Sequence, residues 1–462
     1  MIYQEKQVER SVFRAYDIRG VIGKQLNEDD FYSIGRAISC RLHELKRDKI
    51  FIARDGRLTS DSLAAALKQG LLNSGITVID LGAVATPVMY YATNTQGVDS
   101  GLMVTGSHNP ADYNGIKMVL AGKTLVQTDI DQLYELTIAG RFQNGQGKSL
   151  SLDIIPDYIN RIVGDIKLHR RLKVAVDCGN GIVGPITPQV LTALGCEVIP
   201  LYCEVDGRFP NHHPDPTIEA NLADLKKAVA QHQADIGLAF DGDADRLGVI
   251  TNQGEVIWPD RLLMYYARDV LKRNKGATIV YDVKCSSHLA RVIEEAGGVA
   301  RMCPTGHSIV KGVMKEEHAA LAGEMSGHLF FKDRWYGFDD ALYSACRLLE
   351  IISLSPKPVN EQFATIPNSV NTPEIKIPIA EEDKFSFMQR FSEQAKFPNA
   401  NIITIDGLRV EFPHGWGLLR ASNTTPCLVA RFEAKDQESL KQIQILFKSE
   451  LQGIDKDLVV SF

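Results

Sequence analysis

No run of apolar residues in this sequence approaches the ~20 that a membrane-spanning helix needs, so no transmembrane helix is expected. The first ten residues, Met1-Ile-Tyr-Gln-Glu-Lys-Gln-Val-Glu-Arg10, carry charges where a secretory leader needs an apolar stretch. Cysteine is present but unpatterned: eight residues stand singly, with no Cys-x-x-Cys pair and no short Cys/His spacing that would suggest zinc. Reduced, mostly buried thiols in a reducing compartment are the expectation, and with them a cytoplasmic location. A basic excess is missing too. Lys and Arg number 51 against 57 Asp and Glu, and the net charge of −6 supplies no field to draw the molecule onto nucleic acid or an anionic membrane. Small molecules held in a local pocket are the partners left.

What is present is length and repetition. A chain of 462 residues is too long for one core and implies three or four domains. Three stretches share a plan. In the first, Lys49-Ile-Phe-Ile-Ala-Arg-Asp-Gly-Arg57 begins β-rich and breaks into polar residues; a helix over 60–73 and a strand over 76–79 follow, and Gly101-Leu-Met-Val104 ends in Thr105-Gly-Ser-His-Asn-Pro110. The second runs from Lys173-Val-Ala-Val176 through a helix and a strand over 195–199 to Ile236-Gly-Leu-Ala-Phe240, which ends in Asp241-Gly-Asp-Ala-Asp-Arg246. In the third, Thr278-Ile-Val-Tyr281 leads through a helix and a strand over 297–300 to His318-Ala-Ala-Leu-Ala322 and Gly323-Glu-Met-Ser-Gly-His328. Buried strands alternating with helices predict α/β sheets, whose ligand sites lie beyond the carboxyl ends of the strands. One Gly-containing loop there is ordinary turn chemistry; three at matching places are not.

After Leu354-Ser-Pro-Lys-Pro358 and Asn371-Thr-Pro373 the pattern changes. A strand over 374–379, an amphipathic helix over 385–396, strands over 402–405, 408–412 and 427–432 and a last helix over 438–451 predict an α+β domain. A polar break, Arg420-Ala-Ser-Asn-Thr-Thr-Pro426, interrupts it. The expected domains are 1–152, 153–256, 257–367 and 368–462, with Trp258-Pro259 marking the boundary between the second and third repeats and Gly140–Gly147 a linker.

The loops differ in how much chemistry they imply. Ser107 between Gly106 and His108 is by itself weak evidence, because serine is a poor nucleophile unless activated or already carrying the group to be transferred. Asp241, Asp243 and Asp245 speak louder: each close pair of carboxylates repels by ~1 kcal/mol in water and several-fold more when sheltered. A hard divalent cation offsets that repulsion. A calcium-hand reading fails, since its sixth and twelfth positions would be Arg246 and Asn252 rather than Gly and Glu. Three carboxylates leave open positions, which suits Mg²⁺ shared with a phosphate. Glu324, Ser326 and His328 offer partners for sugar hydroxyls. Arg420 with Ser422, Asn423 and Thr424 suits a phosphate dianion, as well as it suits a helix cap.

These four loops, in this order and over essentially the whole chain, resemble those of the α-D-phosphohexomutase superfamily. Phe13-Arg-Ala-Tyr-Asp-Ile-Arg-Gly20, Asn114-Gly-Ile-Lys117, Lys284-Cys-Ser286 and Thr305-Gly-His-Ser308 resemble family segments as well. Gly323-Glu-Met-Ser-Gly-His328 with Phe330-Phe-Lys-Asp-Arg-Trp335 is most similar to bacterial bifunctional phosphomannomutase/phosphoglucomutases. The resemblance implies three related mixed α/β sheet domains plus a C-terminal α+β domain, around a central cleft. It implies transfer of phosphate between C6 and C1 of mannose and glucose phosphates, through a phosphoserine at Ser107. Glucose 1,6-bisphosphate would be intermediate and activator. One Mg²⁺ per chain would lie on Asp241, Asp243 and Asp245, with phosphorylated Ser107 completing its ligands. Lys117, His108 and His328 are candidates for proton transfer, a lysine base requiring a pKa depressed by neighbouring cations, with Arg19 and Arg246 stabilising charge. Tyr16, Lys284, His307, Glu324, Ser326, Arg420, Ser422, Asn423 and Thr424 would bind substrate. The partners implied are hexose phosphates alone, with a monomer as the expected state.

Alternatives stay in view. Phosphoglucosamine mutases usually carry Gln where Met325 stands and Gly where Ala244 stands, so this sequence favours the hexose. A phosphatase would release inorganic phosphate. A non-catalytic sugar-phosphate sensor would be expected to lack Ser107 or an aspartate of the acidic loop, and all are present.

Overall fold

The computed structural model describes residues 2–423 and 425–462. Four sheets divide the chain. In the first, Lys49–Arg54 is flanked in parallel by Thr77–Ala83 and Gly101–Val104. Tyr113–Leu120 then returns antiparallel beside Gly101–Val104, with Ile18–Val21 beyond it. The second sheet repeats this arrangement with Lys173–Asp177 between Glu197–Leu201 and Ile236–Phe240, and Leu247–Thr251 returning antiparallel. In the third, Thr278–Asp282 lies between Val299–Cys303 and Leu321–Gly323, and Leu329–Phe331 returns. Each of the three candidate loops therefore joins a buried parallel strand to its antiparallel neighbour. That geometry delivers every loop to the same end of its sheet.

Two expectations shift. The closing strand of the third repeat begins at Leu321 rather than His318, because His318 takes a left-handed conformation (φ 49°) that turns the chain before the ladder starts. The strand Val256–Ile257 pairs within the second sheet, so the expected limit after residue 256 falls inside that strand, and a limit after Ile257 keeps the sheet whole.

The fourth sheet is antiparallel. Cys427–Ala434, Gly415–Ala421, Leu408–Phe412 and Asn401–Ile403 follow in order, with Ile375–Pro378 and Val370–Asn371 along the far side of Cys427–Ala434. Helices Lys384–Gln394 and Gln437–Ile454 cover one face.

The cores are distributed unequally. One apolar core runs without a break through the first three sheets, joined by an aromatic stack in which Trp335 lies 5.9 Å from Tyr91 and 4.0 Å from Tyr343, ring to ring. The C-terminal unit has its own core. Its seat on the third unit is mostly polar. The buried Arg409 guanidinium lies 3.9 Å over Trp416 and donates to the carbonyls of Val283 and Cys285, both at 2.7 Å. Arg431 donates to the Lys284 carbonyl and to Asp260. Apolar contact there is a small cluster of Val283, Trp416 and Leu418 with Met302. No helix among the described residues is long and apolar enough to cross a membrane.

Candidate active site

Ser107 adopts a left-handed backbone (φ 48°), which costs a non-glycine residue about 1–2 kcal/mol. The surroundings hold it there. Ser107 N–H donates to Thr105 Oγ1 at 2.8 Å, and Thr105 Oγ1 and Gly106 N–H donate to Asp55 Oδ2 at 2.8 and 3.2 Å. The buried Arg57 guanidinium ties the rest of the loop, donating to the carbonyls of Ser107 (2.7 Å), Asn109 (2.6 Å), Pro110 (2.5 Å) and Tyr113 (3.0 Å). The result presents Ser107 Oγ 3.1 Å from Asp241 Oδ2 and 3.2 Å from His108 Nδ1.

The acidic loop closes on itself in the same manner. Ala244 is left-handed (φ 62°), and the N–H groups of Asp245 and Arg246 donate to Asp241 Oδ1 at 3.0 and 3.1 Å. This turns the three fully buried carboxylates inward. Thr86 Oγ1 donates to Asp243 at 2.5 Å, and Lys117 Nζ donates to Asp243 at 2.6 Å and to Asp245. Gly242 lets this loop pass against the first unit, since a Cβ there would stand 2.5 Å from the Ser107 carbonyl oxygen.

Oxygens from all three aspartates lie within 4.8 Å of one another, and Asp243 Oδ1 and Asp245 Oδ1 are buried without a hydrogen-bond donor among the described residues. Such an all-oxygen, dianion-plus set is able to hold a metal ion, and its chemistry fits Mg²⁺. Burial and the other two carboxylates push Asp241 well above the usual carboxylate range. Asp245 is held low despite burial by His328 and Lys117. Although burial opposes its charge, Asp243, Asp245 and Asp241 raise the pKa of Lys117. His108 moves the other way: burial, then Arg246, Arg19 and Lys117, lower it well below the ordinary imidazole value.

Across from Ser107, Glu324 Oε1 accepts the Gly306 N–H at 2.7 Å, while its Oε2 is buried without a partner among the described residues, and burial raises its pKa. Ser326 is half-buried on the same turn. His328 Nε2 accepts from Arg246 Nε at 3.1 Å, and its Nδ1 is 3.0 Å from Asp339 Oδ2. His307 stacks on His328 with ring centres 5.6 Å apart, its own Nδ1 3.8 Å from Asp339. Lys311 Nζ, 2.9 Å from the other Asp339 oxygen, completes this group.

The last loop follows the strand Gly415–Ala421. Arg420 Nε donates to Asp406 at 2.9 Å, and its Nη2 is buried with no acceptor among the described residues. Ser422 and Thr425 hydroxyls are 2.8 Å apart. Thr424, expected beside them, lies outside the described residues. Tyr16 links three units: its hydroxyl donates to the Thr305 carbonyl at 2.8 Å and receives the Asn423 side-chain N–H. Gly306 (φ 136°) makes room, since a Cβ there would come within 2.5 Å of the Tyr16 ring. Lys284 pairs with Glu374 at 2.6 Å, and Arg19 with Asp17 and Asn109. Ser107 to Asp241, Arg246 to His328, Tyr16 to Thr305 and Asn423, and Lys284 to Glu374 thus form a ring of contacts through all four units. Sequence reasoning missed Arg57, Asp55, Thr86, Lys311 and Asp339.

Four family models match the chain in order: phosphoglucomutase/phosphomannomutase alpha/beta/alpha domains I, II and III over residues 10–144, 156–254 and 258–369, and the C-terminal domain over 374–447. The chain belongs to the phosphoglucomutase/phosphomannomutase family. A Pseudomonas putida phosphomannomutase/phosphoglucomutase is 51% identical over 452 residues, covering 98% of each chain. A phosphoglucomutase of Neisseria meningitidis serogroup A is 49% identical over 450 residues, covering 96% of this chain and 98% of that one. The solved structure of a phosphoglucomutase/phosphomannomutase family protein from Burkholderia thailandensis superposes with a TM-score of 0.94 at 48% identity, covering 98% and 100% of the two chains. Within this family, the ring of loops is the candidate active site.

Proposed function

We propose that this enzyme reversibly moves phosphate between C6 and C1 of mannose and glucose phosphates, with phosphorylated Ser107 as donor and acceptor. One observation carries the reading. Ser107 Oγ stands 3.1 Å from an acidic triad able to hold a metal, while Glu324 Oε2 and Arg420 Nη2, groups for a sugar and a phosphate that have no partner among the described residues, line the same ring. Phosphoryl transfer depends mainly on positioning and charge stabilisation, and those are what the ring supplies.

Asp241, Asp243 and Asp245 would hold Mg²⁺, which when bound neutralises charge on the phosphoryl oxygens beside Ser107. Arg19 and Arg246 add fixed positive charge on the same side. His108, 3.2 Å from Ser107 Oγ and held neutral, is placed to exchange the serine proton. Glu324 and Ser326 would take the 3- and 4-hydroxyls, which glucose and mannose share; ignoring O2 accounts for acceptance of both sugars. Arg420, Ser422, Asn423 and Thr424, with Tyr16, Lys284 and His307 around them, would grip whichever phosphate is not reacting. Glucose 1,6-bisphosphate then serves as intermediate and as the activator that charges Ser107. Its reorientation needs a site that loosens, and a separate C-terminal core with a polar seat supports hinging near Pro367 to Pro373. The cysteines, all free, are consistent with a cytoplasmic enzyme.

The test is peptide mass of the purified enzyme before and after glucose 1,6-bisphosphate, beside coupled assays with mannose 1-phosphate and glucose 1-phosphate. One phosphate on the Ser107 peptide, with turnover lost in Ser107→Ala, is expected. Absence of phosphate at Ser107 together with inactivity on both sugars would refute the reading.

A further inference from the structure

The second sheet ends its first two parallel strands on cysteines. Cys178 follows Lys173–Asp177 and Cys203 lies two residues past Glu197–Leu201, and their Sγ atoms are 3.4 Å apart. Neither residue enters the mutase chemistry. A disulfide has an S–S length of 2.03–2.05 Å, so the pair has only about 1.4 Å to close. The surrounding backbone is built for turning: Gly179, Asn180 and Tyr202 are all left-handed, at φ 52°, 57° and 50°. Closure can therefore be absorbed by loop residues without breaking the parallel ladder that ends at Asp177 and Leu201.

We propose that Cys178 and Cys203 form a reversible disulfide when the enzyme meets a hydroperoxide, and that the bridge lowers mutase activity. The two sulfurs are not equivalent. Cys203 is half-buried and open to a small oxidant, whereas Cys178 is fully buried. The hydrogen bond between the two sulfurs lowers the Cys203 thiol below its ordinary value, while the same bond and burial raise Cys178. Cys203 is thus the sulfur that attacks. Its thiolate takes one peroxide oxygen, the O–O bond breaks, and the released hydroxide becomes water on protonation, leaving a sulfenic acid. Cys178 sulfur then attacks that sulfur, the S–O bond breaks, and the Cys178 proton leaves with the departing hydroxyl as a second water. Two thiols and one peroxide give one disulfide and two waters.

The effect on activity, which rests on the mutase reading, follows from what lies next to Cys178. Gly181 N–H closes a turn on the Cys178 carbonyl at 2.7 Å, and Ile182 N–H donates to the Gly242 carbonyl at 3.2 Å. Gly242 lies between Asp241 and Asp243 with no room to spare against Ser107. Pulling Cys178 towards Cys203 therefore strains a turn that is bonded to the acidic loop.

The experiment treats full-length, Mg²⁺-loaded enzyme with graded hydrogen peroxide, then dithiothreitol, and follows intact mass, non-reduced peptide maps and mutase turnover. Expected are a loss of two hydrogens, about 2 Da, a linked peptide pair containing Cys178 and Cys203, and a severalfold fall in turnover that dithiothreitol reverses. Cys203→Ser should start with unchanged turnover and resist peroxide; Cys178→Ser should stop at a Cys203 sulfenic acid trappable by dimedone. Cys203 oxidised only to sulfinic or sulfonic acid, or left untouched while other cysteines react, would overturn the pairing. A linked pair without loss of turnover would overturn the regulatory half. Should untreated enzyme lack mutase turnover, the linked peptide still decides the pairing and only the mutase reading fails.

Discussion

Replacing Arg57 tests how the phosphoserine loop is held. In Arg57→Ala, four backbone carbonyls between Ser107 and Tyr113 lose a charged donor, and Asp55 loses its 3.3 Å ion-pair partner, all in a buried setting. Breaking a buried charge pair from one side costs about 3–5 kcal/mol. Domains have only about 5–15 kcal/mol in hand, so the protein should fold with most of its margin gone. For a unit of this size that is a fall in Tm of roughly 6–20 °C. The left-handed Ser107 would lose its support at the same time, so phosphate uptake from glucose 1,6-bisphosphate should fall further than stability alone explains. Arg57→Lys restores the charge but not the planar fork, and a single ammonium cannot serve four carbonyls. It should recover part of the Tm and little of the uptake. Wild-type uptake in Arg57→Lys, or a Tm within about two degrees of wild type in Arg57→Ala, would show that the loop holds its own shape and that the guanidinium is incidental.

Asp339→Asn removes the carboxylate that His328, His307 and Lys311 face, and kcat should fall roughly tenfold or more with KM little changed; an unchanged kcat would free His328 from any need of it. Although burial opposes it, Lys284 draws the Glu374 carboxyl from 4.5 down to about 2. Because the folded carboxyl gives up its proton more readily than the unfolded one, its stabilisation is complete above about 4.5 and is lost as pH falls through about 2. The gap in unfolding free energy between wild type and Glu374→Gln should therefore narrow across that window, from about 1 kcal/mol at neutral pH given the partial exposure of Glu374; a gap independent of pH would contradict the pairing. Ala244→Gly relieves a left-handed alanine worth about 1–2 kcal/mol but adds unfolded-state freedom of roughly 0.5–1 kcal/mol. Urea unfolding should show a change within about 1 kcal/mol, and a loss above about 2 kcal/mol would rule out strain at that residue. Chelation should abolish turnover and leave circular dichroism unchanged, with Mg²⁺ restoring activity; turnover that survives chelation would remove the metal from the reading.

The four loops were legible because each breaks an apolar strand with residues whose chemistry is conspicuous: serine beside glycine, alternate aspartates, glutamate with histidine, arginine among hydroxyls. The antiparallel strands that return from three of them were less so. Tyr113–Leu120 carries Asn114 and Lys117, which suggest a solvent-facing edge, yet both are buried: Lys117 turns into the ring towards Asp243 and Asp245, and Asn114 donates to the Thr59 and Ser60 hydroxyls. Arg57 was visible only as part of a polar strand end; nothing in one dimension says that its guanidinium will reach carbonyls 50 to 56 residues away. Asp339 stands beside Asp340, which caps the helix Ala341–Ser353 by accepting the Tyr343 N–H. The helix start could be read from that pair, but not that the first aspartate turns to His328. Least legible was the meeting of the loops, since contacts such as Tyr16 to Asn423, 407 residues apart, depend on how four units stack.

The strand Gly415–Ala421 has its two ends in different jobs. Trp416, near its start, is clamped under Arg409 where that side chain reaches the third unit, and Arg420, near its end, carries an Nη2 with no acceptor among the described residues. Those residues are roughly 13 Å apart along an extended chain, and the strand is paired on both sides from Trp416 to Leu419 and on one side at Arg420. It works as a rigid beam on a pivot whose bearing surface is charge against carbonyl rather than grease against grease. Such a bearing can trade carbonyl partners for water, so a small rotation at Trp416 becomes a displacement of the guanidinium tip without an apolar core having to be opened. Stiffness of the beam and looseness of the pivot are then separately adjustable, the first through cross-strand pairs and the second through seat residues such as Arg409 and Arg431.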